Sequence, residues 1–162
     1  MPDKQALTVQ DRFEIFEQLN KHQRAIDAGS GKAAVDNYNS LYWPEAKFHV
    51  FDLREATFEG LEGMKQMYDY AHSVFPIEKW FHTMGPFEIT GAGDEARAEW
   101  RWIVSWREGH VGTVSTGTYS DRFERRNGVW KCIERTSRID PNWPADLFQP
   151  YIDLADKRFK AS

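Results

Sequence analysis

The stretch "ARAEWRWIVSW", residues 96–106, constrains the fold more than any other. Ala96, Ala98, Trp100, Trp102, Val104 and Trp106 alternate with Arg97, Glu99, Arg101, Ile103 and Ser105. A period of two marks a strand with one buried and one solvated face, so this chain must build a sheet whose apolar side is covered. "REGH" at 107–110 reads as a hairpin around Gly109, and residues 111–125 as the next long strand. "RRNG" at 125–128 makes a compact turn, because Asn-Gly tolerates positive φ. "VWKCIERTSRI" at 129–139 completes an antiparallel meander.

The N-terminal half supplies the cover. Residues 8–28 read as a long helix with Ile15, Leu19, His22 and Ile26 on one side and Phe13 and Phe16 widening that face. "DAGSG" stops it, a second helix covers about 32–42, and Pro44 blocks its continuation. "AKFHVFDL", 46–53, is the first strand by its alternation. A third helix runs from Leu61 to about Ser73 on a stripe of Leu61, Met64, Met67, Tyr68 and Ala71. "EKWFHTMGP", 78–86, is a short strand, and residues 87–90 form a separate edge-like segment before the "GAGD" turn. The tail holds a Pro-rich bend, "DPNWP", and a short helix near 145–159. Helices followed by long antiparallel strands imply an α+β domain with the helices on one face of a curved sheet. The expected form is a cone-shaped, mixed or largely antiparallel sheet packed against about three helices and enclosing a pocket.

The 162 residues suit one domain, with a core about 8–139 and a C-terminal extension about 140–162. A formal charge of −4 gives no general pull toward nucleic acid or anionic lipid. The single cysteine, Cys132, excludes an internal disulfide framework and reads as a small buried hydrophobe. The first residues lack a basic start followed by an apolar run, and no stretch reaches bilayer-spanning length, which makes a cytoplasmic protein the expectation. "GSGKAA" is no phosphate loop, since Ile26 stands where glycine is required and Ala33 where Ser or Thr would bind magnesium. The histidines show no H-E-x-x-H spacing, so neither a metal nor another cofactor is expected.

His82 lies among bulky apolar residues, where a charge is expensive. It either fills core space, contacts a ligand or moves a proton. Asp27 precedes Ala-Gly-Ser-Gly and either organises that turn or partners a base. Burial would weaken an imidazole base and a nearby aspartate would restore it, which is the physical reason for wanting the two together.

Four stretches carry a family resemblance: "HQRAIDAGSG", "YNSLYWPEAKFHV", "KWFHTMGPFEI" and "GTYSDRFERRNGVWKCIERTSR". Together, over about residues 10–139, they resemble the SnoaL-like branch of the nuclear transport factor two-like superfamily. Within it, the chain is similar to the scytalone dehydratase and hexachlorocyclohexane dehydrochlorinase group. The resemblance implies a catalytic pair, His82 as base with Asp27 beside it, removing a proton during elimination. It also places His110 at a possible second histidine and Arg135 at an arginine beyond the last strand's tryptophan. Tyr42 and Tyr119 are further candidates to position a substrate oxygen, with aromatic packing as their alternative. Each of the others has a plain alternative too: a surface hairpin residue for His110 and a surface ion pair for Arg135.

The implied activity is a cofactor-independent lyase, dehydratase or dehydrohalogenase in type, on a small apolar or aromatic cyclic substrate. An isomerase or cyclase, or a non-catalytic ligand-binding or assembly module, stays open on the same fold. The family habit implies a homodimer or homotrimer, and neither nucleic acid nor membrane is an expected partner.

Overall fold

The computed structural model describes residues 5–29, 31–51, 55–75, 77–107, 112–141 and 153. Helices α1 (Val9–Asp27) and α2 (Lys32–Asn39) lead into strands β1 (Tyr42–Phe51) and β2 (Glu55–Glu59). Helix α3 (Gly60–Val74) and a 3-10 turn (Ile77–Lys79) precede β3 (Trp80–Ala92), β4 (Glu95–Trp106), β5 (Thr113–Arg126) and β6 (Val129–Ile139). Apart from Asp153, the tail helix expected near 145–159 lies outside the described residues, as does the centre of the 107–110 hairpin, including His110.

The six strands form one mixed sheet in the order β2-β1-β6-β5-β4-β3. Only β1 and β6 pair in parallel; the other neighbours are antiparallel. This corrects the expectation of a cone-shaped sheet enclosing a pocket. The sheet is open, with β2 and β3 at its two ends rather than curled into a cone. The reason is the connection: β2 runs directly into α3, which packs on β1 and β2, and the chain enters β3 only afterwards. An element that must cross between the two edges keeps them apart.

The alternation on β4 translates directly into burial. Ala96, Ala98, Trp100, Trp102 and Val104 are buried, whereas Arg97, Glu99 and Arg101 are exposed. The β5–β6 turn has Asn127 at φ 53° and Gly128 at φ 78°, the two positive values that a tight hairpin needs. Strand β3 is continuous from Trp80 to Ala92, so the separate segment expected at 87–90 is its second half. The register shifts between Met84 and Phe87, where Pro86 sits on an edge strand and costs little ladder. Strand β2 escaped the sequence reading because five residues at a sheet edge carry too little alternation.

Helix α1 is fixed at its start. Thr8 and Asp11 form a reciprocal capping box, with the Thr8 hydroxyl accepting from Asp11 N–H at 3.1 Å and the Asp11 carboxylate accepting from Thr8 N–H at 2.9 Å. The other Asp11 oxygen accepts from Arg125 at 2.6 Å and Trp130 Nε1 at 3.1 Å. The bonds from Thr8, with help from Trp130 and Arg125, hold the Asp11 carboxyl down at about 2. Ile15, Leu19 and His22 then face the sheet, buried, while Phe13 remains 56% exposed. Among the described residues, no helix is long and apolar enough to cross a membrane.

Candidate active site

Asp27 is the last residue of α1, and His82 is the third of β3. Gly29, at φ 88°, turns the chain away just beyond the helix. The side chain of Asp27 reaches across to the edge strand. Its two oxygens accept the backbone N–H of His82 at 3.2 and 3.0 Å, and Oδ1 also lies 2.7 Å from His82 Nδ1. A carboxylate can only accept, so Nδ1 carries the hydrogen and the neutral ring keeps its lone pair on Nε2. Among the described residues, Nε2 makes no hydrogen bond. The backbone contact ties the carboxylate to the strand, so the ring meets an acceptor that is already held in place.

His82 borders a cavity of about 140 Å³ between the helices and the covered face of the sheet. Ile26, Met67, Phe75, Trp102 and Val104 make much of its wall. An apolar cavity of about 150 Å³ takes up one benzene-sized molecule, which sets the scale of a guest here. Ser115 and Tyr119 add hydroxyl groups to the wall, and His72 and Tyr68 lie on its α3 side.

The structure separates the remaining candidates. Tyr119 lines the cavity with its ring against Trp100, at a centroid distance of 4.6 Å. Arg135 and Tyr42 do not line it; they sit in a buried cluster with His22, Asp121 and Trp100. Arg135 Nε and Nη2 donate to the two oxygens of Asp121 at 2.6 and 2.8 Å, and Trp100 Nε1 donates to the same carboxylate at 2.8 Å. The Nη1 group of Arg135 donates to the Tyr42 hydroxyl at 3.2 Å and faces the His22 ring at 3.0 Å. Burial first, and then the Arg135 guanidinium, push His22 well below the ordinary histidine range, which makes it a neutral acceptor. Burial likewise drives the Tyr42 phenol and the Cys132 thiol upward. Cys132 is 0% exposed, which suits a packed thiol rather than a nucleophile. The cluster meets the cavity through Tyr119, whose ring centroid lies 4.5 Å from the Arg135 guanidinium, and through Tyr38, whose ring lies 4.4 Å from that of His22.

Two of these residues carried a sequence signal that pointed elsewhere. His22 fell on the apolar stripe of α1, and Asp121 shares its strand parity with Tyr119 and Phe123. An acid and a histidine on buried faces imply partners, but nothing in one sequence says that Arg135 is the partner of both. Among the described residues, no group of three His, Cys, Asp or Glu side chains is placed to hold a metal ion.

The chain is an α+β protein with three helices on a six-stranded mixed sheet, the architecture of the NTF2-like superfamily to which it belongs. The chain belongs to the SnoaL-like domain family, which matches residues 7–136. Among solved structures, it is similar to a protein of unknown function with a cystatin-like fold from Nostoc punctiforme, at 25% identity and TM-score 0.75, covering 85% of this chain and 97% of that one. An NTF2-like protein from Novosphingobium aromaticivorans is 22% identical, with TM-score 0.72 over 85% of this chain and 86% of the other. A hexachlorocyclohexane dehydrochlorinase, LinA type 2, is 17% identical, with TM-score 0.66 over 82% and 86%. At these identities the last two show the shared fold. No curated protein matches the sequence.

Proposed function

We propose that this chain is a cofactor-independent lyase of the dehydratase or dehydrohalogenase type, acting on a small, largely apolar ring compound. The observation that carries the reading is the Asp27–His82 pair, joined at 2.7 Å, with the ring bordering an apolar cavity of one-ring size. In this mechanism His82 Nε2 takes a proton from a ring carbon. The electron pair of that C–H bond becomes a C=C bond, and the bond from the adjacent carbon to its leaving group breaks. A halide departs as the anion, and a hydroxyl departs as water by taking back the proton that His82 Nε2 removed, which returns the imidazole to its neutral form. Asp27 holds the Nδ1 hydrogen throughout and stabilises the imidazolium that forms. The apolar wall lowers the local dielectric beside the pair and strengthens its electrostatics. Arg135 serves this reading from behind the wall, where its guanidinium packs on the Tyr119 ring; Tyr119 and Ser115 offer hydroxyl groups to a guest.

The test is turnover of a panel of cyclic hydroxy-ketones and halogenated rings, with product analysis. Elimination should be lost together in His82→Ala and Asp27→Asn while both variants stay folded. Turnover that is unchanged in both variants would reject the pair. A product with a moved double bond and an intact leaving group would turn the reading toward an isomerase.

A further inference from the structure

The other end of α1 is gripped as firmly as its start, and by residues that the mechanism above does not use. A helix ends with carbonyl groups that have no partner of their own. Here, α3 supplies partners from the side. Tyr68 Oη lies 2.8 Å from the Ala25 carbonyl and 2.5 Å from the Gly29 carbonyl, so its one hydrogen is shared between acceptors on either side of Asp27. His72 Nε2 lies 3.1 Å from the carbonyl of Ile26, the residue directly before Asp27. The other nitrogen of His72 lies 3.0 Å from the Tyr68 carbonyl, and the two rings stack at 4.1 Å. Carbonyl oxygens only accept, so a His72 nitrogen that carries a hydrogen donates to the carbonyl it faces, and the Nε2–H form of the ring donates to Ile26. His72 sits in the last turn of α3, which brings its ring beside the end of α1. Burial, then Asp69 and Asp27, push the Tyr68 phenol up to about 12, so it remains a donor across the working pH range.

We infer that Tyr68 and His72 are positioning residues: they clamp the carbonyls flanking Asp27 and thereby set its carboxylate against His82. The geometry requires such a device. Asp27 is the terminal residue of its helix, where the backbone frays most readily, yet it must meet a ring nitrogen and a backbone N–H of an edge strand at once. The capping box fixes the far end of α1, the Ile15–Leu19–His22 face fixes its rotation, and the clamp fixes the last turn. The inference rests on reading Asp27–His82 as the working pair, but its test needs no turnover.

The experiment is two-bond 1H–15N NMR of the imidazoles in uniformly labelled protein at high pH, where the tautomer of each neutral ring is read directly. His82→Gln assigns the His82 signal among the five histidines. The expected wild-type ring is predominantly Nδ1–H. Tyr68→Phe, which deletes only a hydroxyl, and His72→Leu should each convert it to a mixture with Nε2–H. His72→Gln retains one N–H donor and should keep more of the Nδ1–H form than His72→Leu. Ile15→Val, a core change in the same helix, should lower Tm and leave the tautomer alone. An unchanged His82 signal in Tyr68→Phe and His72→Leu would overturn the clamp, as would an equal change in Ile15→Val or equal loss in the Gln and Leu variants. A wild-type ring that is Nε2–H would overturn the pair itself and the lyase reading with it. A correct tautomer response without any turnover would remove only the lyase reading.

Discussion

Asp121–Arg135 and Asp27–His82 are both carboxylates facing a nitrogen base, one across adjacent strands and the other between a helix end and an edge strand. The first pair is 0% exposed on both sides, and Trp100, Tyr42 and His22 occupy its remaining bonding directions. The second retains 13% exposure at His82 and 19% at Asp27, and its ring borders the cavity. Burial makes the first pair a fixture, because removing either charge strands the other in a low dielectric. Partial exposure and an uncommitted nitrogen leave the second able to exchange a proton. A carboxylate therefore holds the fold in one place and is available for chemistry in another. What separates them is the partner, a guanidinium that keeps its protons against an imidazole that can gain or lose one, and how many hydrogen-bonding directions the protein has already used.

The largest expected effect attacks the sealed side. Arg135→Met leaves Asp121 buried without its counterion and should cost about 3–5 kcal/mol in urea unfolding. Adding Asp121→Leu should recover much of that loss, and a single-variant cost near zero would mean the two pairs do not differ in kind. Next comes the open side: Asp27→Asn should lower kcat/KM by about 10²-fold or more on any substrate the panel identifies. The same change should move unfolding stability by no more than about 1.5 kcal/mol, the range of a typical hydrogen bond. A large stability loss with turnover intact would reverse the comparison.

Gly117 tests the partition between the two regions. It lies opposite Trp102 on β4, and a Cβ there would collide with the Trp102 ring and the Arg138 carbonyl. Gly117→Ala should cost about 1–3 kcal/mol by overpacking and push the indole toward the cavity, weakening uptake of a benzene-sized probe measured by NMR. Unchanged stability and uptake would mean the wall is softer than the packing implies.

The smallest effect is in pH. His22 has its folded pKa depressed, so the unfolded chain binds a proton near 6.5 that the folded chain does not. Its contribution to stability is therefore complete above pH 6.5 and declines as the pH falls below that value. His22→Asn should flatten this part of the stability–pH curve in denaturant titrations; an unaltered slope would show that the cluster tolerates a second cation.

Much of the architecture was legible from local pattern alone. The Ala96–Trp106 alternation, the Asn-Gly turn and the α1 stripe each depend on residues a few positions apart, and each appears where its period placed it. Strand β2 and the continuity of β3 were not legible, because an edge strand owes its existence to a neighbour rather than to its own residues. The candidate site divides in the same way. Asp27 and His82 stood out by residue type and by resemblance, but the dual contact to ring and backbone could not be read from either. Arg135 and Tyr42 drew notice as polar groups near a supposed pocket. Their common burial with His22 and Asp121 belongs to strand register and helix rotation.

The sequence by itself determined the helices, the inner strands, the covered face of the sheet and the residue types able to move a proton, since those follow from periodicity and side-chain chemistry. Only the tertiary structure decided that the sheet stays open, that one acid–base pair is sealed and that the other meets a cavity. Those outcomes depend on contacts between residues 14, 55 and 113 positions apart, and no local pattern encodes which distant partner a buried charge will find.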